Sequence, residues 1–266
     1  MESENWGAAL IPKVIHYCWF GNSDKPELIK KCIESWKKYF PDYEIIQWNE
    51  SNFNVNEIEF MKKAYDNQKW AFVSDVARLL IIYEYGGFYF DTDVEIIKSF
   101  NDIIDDGFEG YFGLEHDLLP NSGLGFGAIK HQKVIKELID VYKNLDYDRY
   151  SEELGKVACP IVTGELLRKK GFKNENQIQF ISDIKIFTCD YFDPINYQNG
   201  KVSLTNNTHS IHWYNASWQE LNEKIEQERL RKLNSIFGVK LGEKIYGISY
   251  CIKKEGFINY ILNRLK

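Results

Sequence analysis

Apolar and polar residues alternate along the first 50 positions in a way that predicts a strand, a helix and a second strand. Residues 11–20 form an apolar run typical of a strand. Residues 26–39 have apolar positions at helical spacing, and residues 43–48 predict the second strand. A strand, a helix and a strand in this order form a βαβ unit, so we expect an α/β fold with a mostly parallel sheet.

Residues 70–95 follow a different pattern, and we expect the rest of the chain to be organised around them. Apolar residues lie on nearly every side of a predicted helix at residues 71–83, which indicates a buried helix and not an amphipathic surface helix. Asp75 and Arg78 are three positions apart, so they share one face of this helix. Buried charges need a partner or a ligand, and these two residues are therefore candidates for a site.

A two-glycine break, Gly86-Gly87, separates this helix from a short aromatic strand predicted at residues 88–90. We expect Asp91 and Asp93 to continue that strand and to point to one side at its carboxyl end, where open α/β sheets bind ligands. Two carboxylates about 5 Å apart repel each other by roughly 3 kcal/mol at an effective dielectric constant near 20. Such a pair shares a proton or holds a cation, and an all-oxygen pair suits Mg²⁺ or Mn²⁺.

The second half of the chain predicts further elements of both kinds. Strands are expected at residues 108–114, 123–129 and 184–187, a helix at 131–145, and a short helix within 160–170. Residues 190–207 read as a loop, and the chain after residue 218 is helical and basic. We therefore expect one domain at residues 1–220 and a basic helical extension at residues 221–266.

Composition and charge narrow the class of protein. The chain is 44% hydrophobic and 27% charged, which is ordinary for a globular protein. The net charge of −6 divides into +5 for residues 221–266 (10 basic, 5 acidic) and −11 for residues 1–220 (23 basic, 34 acidic). An acidic body argues against nucleic acid binding. Five scattered cysteines without C-x-x-C spacing predict reduced thiols, and the absence of a signal-peptide pattern leads us to expect a cytoplasmic protein.

The D-x-D pair alone is weak evidence, because this spacing is common by chance, but its surroundings resemble a known family. The sequence SDVARLLIIYEYGGFYFDTDVE at residues 74–95 resembles the signature of family 32 glycosyltransferases, the group with a sugar-binding region containing D-x-D. Residues 11–21, 32–50 and 210–218 resemble further segments of the family in the same order. The family includes capsular-polysaccharide synthesis proteins, and the large clostridial glucosylating toxins are distant relatives.

This resemblance implies a GT-A fold, which is a Rossmann-like α/β domain that binds a nucleotide-sugar and a divalent metal, usually Mn²⁺ rather than Mg²⁺. It also implies transfer with retention of configuration. Asp93 then corresponds to a direct metal ligand, and Asp91 to a carboxylate that contacts the donor with or without touching the metal. Asp75 and Arg78 match the pair that holds the donor sugar and diphosphate, and Asp91, Asp93 and Arg78 are the expected catalytic residues.

The remaining site residues come from separate segments of the resemblance. They are Trp19 near the nucleotide base, Tyr89 and Thr92 in the donor pocket, Asn121 on a sugar hydroxyl, His212 as the third metal ligand, and Ser217 and Trp218 over the diphosphate. Many members of the family have a second histidine where this chain has Trp213. If that second histidine is the metal ligand in those members, His212 does not correspond to it. His16, in the first strand, is expected to be structural.

The implied function is metal-dependent transfer of a sugar, expected from a UDP-sugar, to a saccharide or lipid-linked saccharide in cell-surface polysaccharide synthesis. Two alternatives stay open. A haloacid-dehalogenase-type phosphatase also uses D-x-D, with Asp91 as its nucleophile, and a carbohydrate-binding module could keep the cleft without catalysis. The basic extension is either a lid on the core or a peripheral contact with anionic lipid at the inner face of the cytoplasmic membrane.

Overall fold

A mixed eight-stranded sheet lies at the centre of the computed structural model, which describes residues 10–104, 107–215 and 221–256. The strands in these residues are β1 (Val14–Cys18), β2 (Glu44–Trp48), β3 (Gly87–Tyr89), β4 (Val94–Ile96), β5 (Gly110–Leu114), β6 (Pro120–Asn121), β7 (Phe126–Ala128), β8 (Gln179–Ile181), β9 (Ile184–Phe187) and β10 (Ser210–His212). The order in the large sheet is β2-β1-β3-β7-β5-β9-β8, with β6 beside β5, while β4 and β10 form a separate pair.

Most strands of the large sheet run in one direction. β1 is parallel to β2 and β3, and β5 is parallel to β9. β7 is antiparallel to both β3 and β5, so β2, β1, β3, β5 and β9 share a direction. β7 runs the other way because only a short connection joins it to β5, and parallel neighbours need a longer crossover. The predicted α/β class with a mostly parallel sheet is confirmed, and the arrangement is consistent with a GT-A fold.

Helices cover the sheet and divide the apolar interior into two clusters. They are α1 (Glu27–Tyr39), α2 (Glu59–Asp66), α3 (Trp70–Tyr85), α4 (Lys133–Lys143), α5 (Tyr147–Tyr150), α6 (Cys159–Arg168) and α7 (Cys189–Phe192). Two further helices, α8 (Leu221–Phe237) and α9 (Val239–Glu255), follow later in the chain. Tyr89 of β3 enters the cluster that contains α3, whereas its neighbours Phe88 and Phe90 enter the cluster that contains Trp36 of α1. This alternation follows from the two-residue period of a strand, and it places α3 and α1 in different layers.

The central stretch folds as a buried helix followed by a strand, as predicted, but the D-x-D pair lies elsewhere than expected. α3 buries both of its charged site residues, Asp75 and Arg78. β3 ends at Tyr89, and residues 91–93 form a turn, which we call the D-x-D turn. The backbone N–H of Val94 donates to the carbonyl of Asp91 at 3.0 Å and closes this turn. The prediction that the aspartates continue the strand was therefore wrong, because the chain leaves the sheet here to pair with β10.

Two further segments differ from the sequence-based prediction. The region read as a loop, residues 190–207, includes the last residues of the short helix α7 and an antiparallel bridge between Ile195 and Val202. The segment at residues 210–212, recognised only as a motif, forms strand β10. β10 forms by pairing with β4, a distant segment, and local sequence patterns do not encode such a contact.

The two-glycine break requires glycine for steric reasons. Gly86 and Gly87 have φ values of 67° and 99°, a region that favours glycine. A Cβ at position 87 would lie 2.6 Å from the carbonyl oxygen of Val14. The buried ring of His16 fixes the same turn, since its Nε2 lies 3.0 Å from the carbonyl oxygen of Gly86 and its Nδ1 accepts from Trp48 Nε1 at 3.1 Å. His16 therefore occupies the structural position expected of it.

Acidification is expected to weaken the fold through His16. Burial lowers the pKa of His16 to about 4, although the Gly86 carbonyl acts in the opposite direction. The folded state favours the neutral ring over the charged one. The stabilisation by the neutral ring is therefore fully present above the pKa of the unfolded state, about 6.5, and is lost as the pH falls towards 4. Between pH 7 and 5 the wild type should lose about 2 kcal/mol more unfolding free energy than His16→Gln.

Urea unfolding at the two pH values measures this difference. His131→Gln replaces an exposed histidine and serves as the matched control, which should lose stability in parallel with the wild type. Equal losses for wild type and His16→Gln would contradict the role given to this ring.

The described residues fall into two compact units. The larger contains the sheet and runs to Pro194, together with Leu204–Asn215, and the smaller contains Ile195–Ser203 and helices α8 and α9. The division at residue 220 expected from the sequence stays a prediction. All five cysteines are free. Among the described residues, none of the helices has the length and apolar character needed to cross a bilayer.

Candidate active site

Pairing of β4 with β10 brings together predicted metal ligands that are more than 100 residues apart in the sequence. In this antiparallel pair, His212 lies opposite Val94, the residue directly after the D-x-D turn. One potential ligand atom from each of Asp91, Asp93 and His212 lies within 4.8 Å of the others. Nε2 of His212 is 3.2 Å from Oδ1 of Asp93. The structure thus brings the three predicted ligands into one cluster.

Two backbone N–H groups from the segment after β10 hold Asp93 in place. The N–H of Asn215 donates to its Oδ2 at 2.7 Å, and the N–H of Trp213 donates to its carbonyl oxygen at 3.0 Å. Burial by itself would raise the pKa of Asp93, but the facing His212 imidazole and the Asn215 N–H outweigh it and lower the pKa. Asp93 is therefore an ionised carboxylate in a preformed position.

His212 carries the complementary charge. Burial by itself would lower its pKa, but the carboxylates of Asp93 and Asp91 raise the pKa to about 9. The buried Nδ1 of His212 has no hydrogen-bond partner among the described residues. Two carboxylates and an imidazole whose potential ligand atoms lie within 4.8 Å of one another fit a divalent metal such as Mn²⁺ or Mg²⁺.

Asp91 belongs to a different network from that of Asp93. Its Oδ1 lies 3.1 Å from Nη2 of Arg78 and accepts from the hydroxyl of Tyr89 at 3.2 Å. Burial raises the pKa of Asp91 to about 6, the charge of Arg78 opposes the rise, and the nearby Asp93 adds to it. Its side chain is 26% exposed, against 13% for Asp93. The two aspartates of the turn are thus held by different partners.

Arg78 joins the D-x-D turn to the start of α6. Its Nη2 lies 3.0 Å from Oδ1 of Asp75, while Nε donates to the carbonyl of Ser74 at 3.0 Å. The other oxygen of Asp75 accepts from the N–H of Cys159, the first residue of α6, at 3.1 Å. A carboxylate at a helix N-terminus is stabilised by the unpaired N–H groups there. Asp75 and Arg78 are 7% and 3% exposed, so both lie beneath the surface of the site, and their predicted contact with the donor stays a prediction.

Two aromatic residues predicted near the donor occupy different environments. Tyr89 is 1% exposed and its ring centroid lies 4.9 Å from the Arg78 guanidinium, so the structure places it as a support for Arg78 and Asp91. Trp19 directly follows β1, is partly exposed, and donates through Nε1 to the carbonyl of Ser23 at 2.7 Å. Trp19 therefore lies at the carboxyl end of the parallel strands, where a nucleotide base is expected.

Residues on both sides of β6, together with β6 itself, lie close to Asp91. Asn121 is buried, its Nδ2 donates to Glu115 Oε2 at 2.9 Å, and its Oδ1 accepts from the N–H of Gly123 at 2.6 Å. Burial raises the pKa of Glu115 to about 7, the bond from Asn121 opposes the rise, and the charge of Asp193 adds to it. The sequence analysis named Asn121 as a site residue but did not name Glu115. The only feature of the sequence that could have pointed to Glu115 is its position directly after a buried strand.

Gly123 is a second residue that the sequence did not single out. A Cβ at this position would lie 2.5 Å from Oδ2 of Asp91, 3.0 Å from Oδ1 of Asn121 and 3.3 Å from Nη1 of Arg78. The glycine thus allows the loop to approach the D-x-D turn. A glycine followed by apolar residues is a common loop pattern, so the sequence gives no local sign of this contact.

Replacing Gly123 with alanine is expected to displace the Asp91 carboxylate, which would lose its contacts with Arg78 and Tyr89. We expect activity to fall about 100-fold, which is the typical loss of rate when a catalytic group is misplaced by about 1 Å. The melting temperature should change little. Steady-state rates and thermal unfolding measure the two effects. Gly155→Ala is the matched control, since nothing lies within 4 Å of a Cβ there. Full activity in Gly123→Ala would show that Asp91 does not depend on this close approach.

The remaining predicted residues divide between described and undescribed parts of the chain. Thr92 is the partly buried middle residue of the D-x-D turn. Ser217 and Trp218 lie outside the described residues. Trp213, the neighbour of His212, donates through Nε1 to Glu95 Oε2 at 2.9 Å. The structure groups His212, and not residue 213, with the aspartates.

Comparison with known proteins gives a family match in the region that contains the D-x-D turn. Residues 26–108 match the model described as "Glycosyltransferase sugar-binding region containing DXD motif". This range includes Asp75, Arg78, Asp91 and Asp93. The predicted resemblance is confirmed, and the matched region is of the glycosyltransferase type.

Curated relatives and solved structures extend the comparison. Inositol phosphoceramide mannosyltransferase 3 of Schizosaccharomyces pombe is 30% identical over 104 residues, which are 36% of this chain and 28% of that protein. A protein named Toxin from Photorhabdus asymbiotica is 26% identical over 208 residues, 62% of this chain and 7% of that protein. The chain thus spans less than a third of the length of either relative. The solved structure titled PaToxG Glycosyltransferase is 20% identical, covers 61% of this chain and 70% of that chain, and aligns with a TM-score of 0.49.

Proposed function

We propose that this protein is a metal-dependent retaining glycosyltransferase. It would move a sugar from a nucleotide-sugar, for which we propose a UDP-sugar, to a saccharide or lipid-linked saccharide. The observation that carries the proposal is the cluster of Asp91, Asp93 and His212 within 4.8 Å, two of whose members lie in the matched glycosyltransferase region. We place the reaction in the cytoplasm, in the synthesis of a cell-surface polysaccharide.

The chemistry of the residues supports this proposal. Asp93, Asp91 and His212 would hold Mn²⁺ or Mg²⁺, which would supply positive charge to the diphosphate as it leaves. Asp93 is held ionised by His212 and the Asn215 N–H, so one carboxylate stands ready for the cation without rearrangement. Asp91 is held by Arg78 and Tyr89, and its greater exposure leaves an oxygen for the donor ribose or sugar.

Retention is proposed to arise by attack of the acceptor on the face from which the diphosphate leaves. The acceptor hydroxyl oxygen bonds to the anomeric carbon as the bond from that carbon to the phosphate oxygen breaks. The hydroxyl proton passes to the departing phosphate oxygen, so no protein base is required. The buried carboxylates of the site are engaged with Arg78, His212 or Asn121, which favours this route over a covalent one.

The family match favours transfer over the two alternatives, phosphatase chemistry and carbohydrate binding without catalysis. In a phosphatase Asp91 would be the nucleophile, whereas here its Oδ1 is engaged by both Arg78 and Tyr89. A binding module would have no need of the ionised Asp93–His212 pair. The similarity to a protein named as a mannosyltransferase makes GDP-mannose a donor to test beside the UDP-sugars.

Nucleotide release from a panel of UDP- and GDP-sugars, with and without Mn²⁺, tests the proposal. We expect release from at least one donor that depends on the metal and disappears in Asp93→Ala. Donor binding without release in every condition would favour the binding module. Neither binding nor release from any donor would defeat the transferase proposal.

A further inference from the structure

The two helices of the smaller unit meet at an exposed apolar tip. α8 ends at Phe237, Gly238 turns the chain with a φ of 77°, and α9 begins at Val239. We call residues 235–241 the hairpin apex. Ile236, Phe237 and Leu241 are 62%, 48% and 50% exposed there. Large apolar side chains that are grouped and exposed are typical of an interaction site.

The helices behind the apex are in close contact, which holds these side chains outward. A Cβ on Gly242 of α9 would lie 2.7 Å from Cα of Asn234 of α8, so only glycine allows this approach. Asn234 is 3% exposed and donates through Nδ2 to the carbonyl of Gln198 at 2.9 Å. Arg231 donates through Nε to the carbonyl of Tyr197 at 3.0 Å. The apex is therefore the end of a helical hairpin that close helix packing and hydrogen bonds to residues 197–198 hold in place.

Basic residues flank the apolar tip on both sides in the sequence. Residues 229–244 contain five basic residues and one acidic residue, Glu243, for a balance of +4. Lys232, Lys240 and Lys244 are exposed and form no ion pair with any residue in the described part of the chain. Two such tips would repel each other, which disfavours an apex-to-apex dimer. Exposed apolar side chains with exposed lysines close by in the sequence fit a lipid surface, whose head groups are anionic and whose acyl chains beneath are apolar.

We infer that the hairpin apex docks on an anionic lipid bilayer. Ile236, Phe237 and Leu241 enter the boundary between head groups and acyl chains, and the three lysines face lipid phosphates. This inference specifies which part of the basic extension meets the membrane. It does not depend on the proposed transfer reaction, because its test measures binding to vesicles and not activity.

Co-sedimentation of the full-length protein with vesicles tests the docking. Vesicles with about one third phosphatidylglycerol should bind the protein at least about tenfold more tightly than pure phosphatidylcholine, and added salt should weaken the binding. Phe237→Ser keeps the charge and should reduce binding about tenfold. The pair Lys240→Gln and Lys244→Gln should reduce it about 25-fold, at about fivefold for each lysine.

Matched controls separate the apex from the rest of the surface. Phe180→Ser replaces a phenylalanine that is 61% exposed in β8, and Lys169→Gln with Lys173→Gln removes two other exposed lysines. Both controls should bind like the wild type, and circular dichroism checks that every variant folds. Equal binding of apex variants and controls would overturn the inference. So would a dimer, seen by sedimentation without vesicles, that Phe237→Ser dissociates.

Discussion

Asp93→Asn is expected to abolish tight Mn²⁺ binding and to reduce metal-dependent sugar transfer by about 10³-fold or more. The asparagine keeps the shape of the side chain and can still accept from the Asn215 N–H, so the turn should fold. It removes the negative charge that raises the pKa of His212, and that would attract the cation. The large loss should therefore appear in metal affinity and turnover. The free energy of unfolding should fall as well, because the buried His212 loses its counter-charge.

Mn²⁺ titration by electron paramagnetic resonance and nucleotide release by the purified enzyme measure the two quantities. Asp66→Asn, which changes an exposed aspartate paired with Lys62 on α2, is the matched control and should behave as wild type. Wild-type Mn²⁺ affinity in Asp93→Asn would show that Asp93 is not a ligand, whatever happens to turnover.

Arg78→Met is expected to lower the free energy of unfolding by about 3–5 kcal/mol, the cost of breaking a buried ion pair from one side. Methionine fills much of the same space, but it leaves the buried carboxylate of Asp75 and the partly buried carboxylate of Asp91 without their counter-charge. Urea unfolding measures the loss. Arg168→Met changes an exposed arginine at the end of α6 and should cost less than about 0.5 kcal/mol.

A double variant distinguishes the loss of charge balance from the loss of packing. Adding Asp75→Asn to Arg78→Met removes one uncompensated carboxylate, while the asparagine oxygen can still accept from the Cys159 N–H. We expect the double variant to recover about 1–2 kcal/mol. If Asp75→Asn adds its own loss instead, the carboxylate of Asp75 does not depend on Arg78 for its stability.

Local patterns predicted much of the larger unit and named most residues of the site. The strand over residues 184–187 and the helix over residues 26–39 match β9 and α1 closely, because burial imposes a two-residue period on strands and a 3.6-residue period on helices. The buried character of α3 followed from the same reasoning. The identities of Asp91, Asp93 and His212 came from motif resemblance, and the structure brings these three residues together.

The sequence by itself determined the α/β class, the buried helix with its two charges, and the acidic body with a basic extension. Only the tertiary structure decided that Asp91 and Asp93 occupy a turn, that Asp75 caps α6 through Cys159, and that Gly123 lies against Asp91. The physical reason is the range of the interactions. Periodicity reports the burial of neighbouring residues, whereas the pairing of β4 with β10 and the course of the Gly123 loop depend on contacts between distant segments.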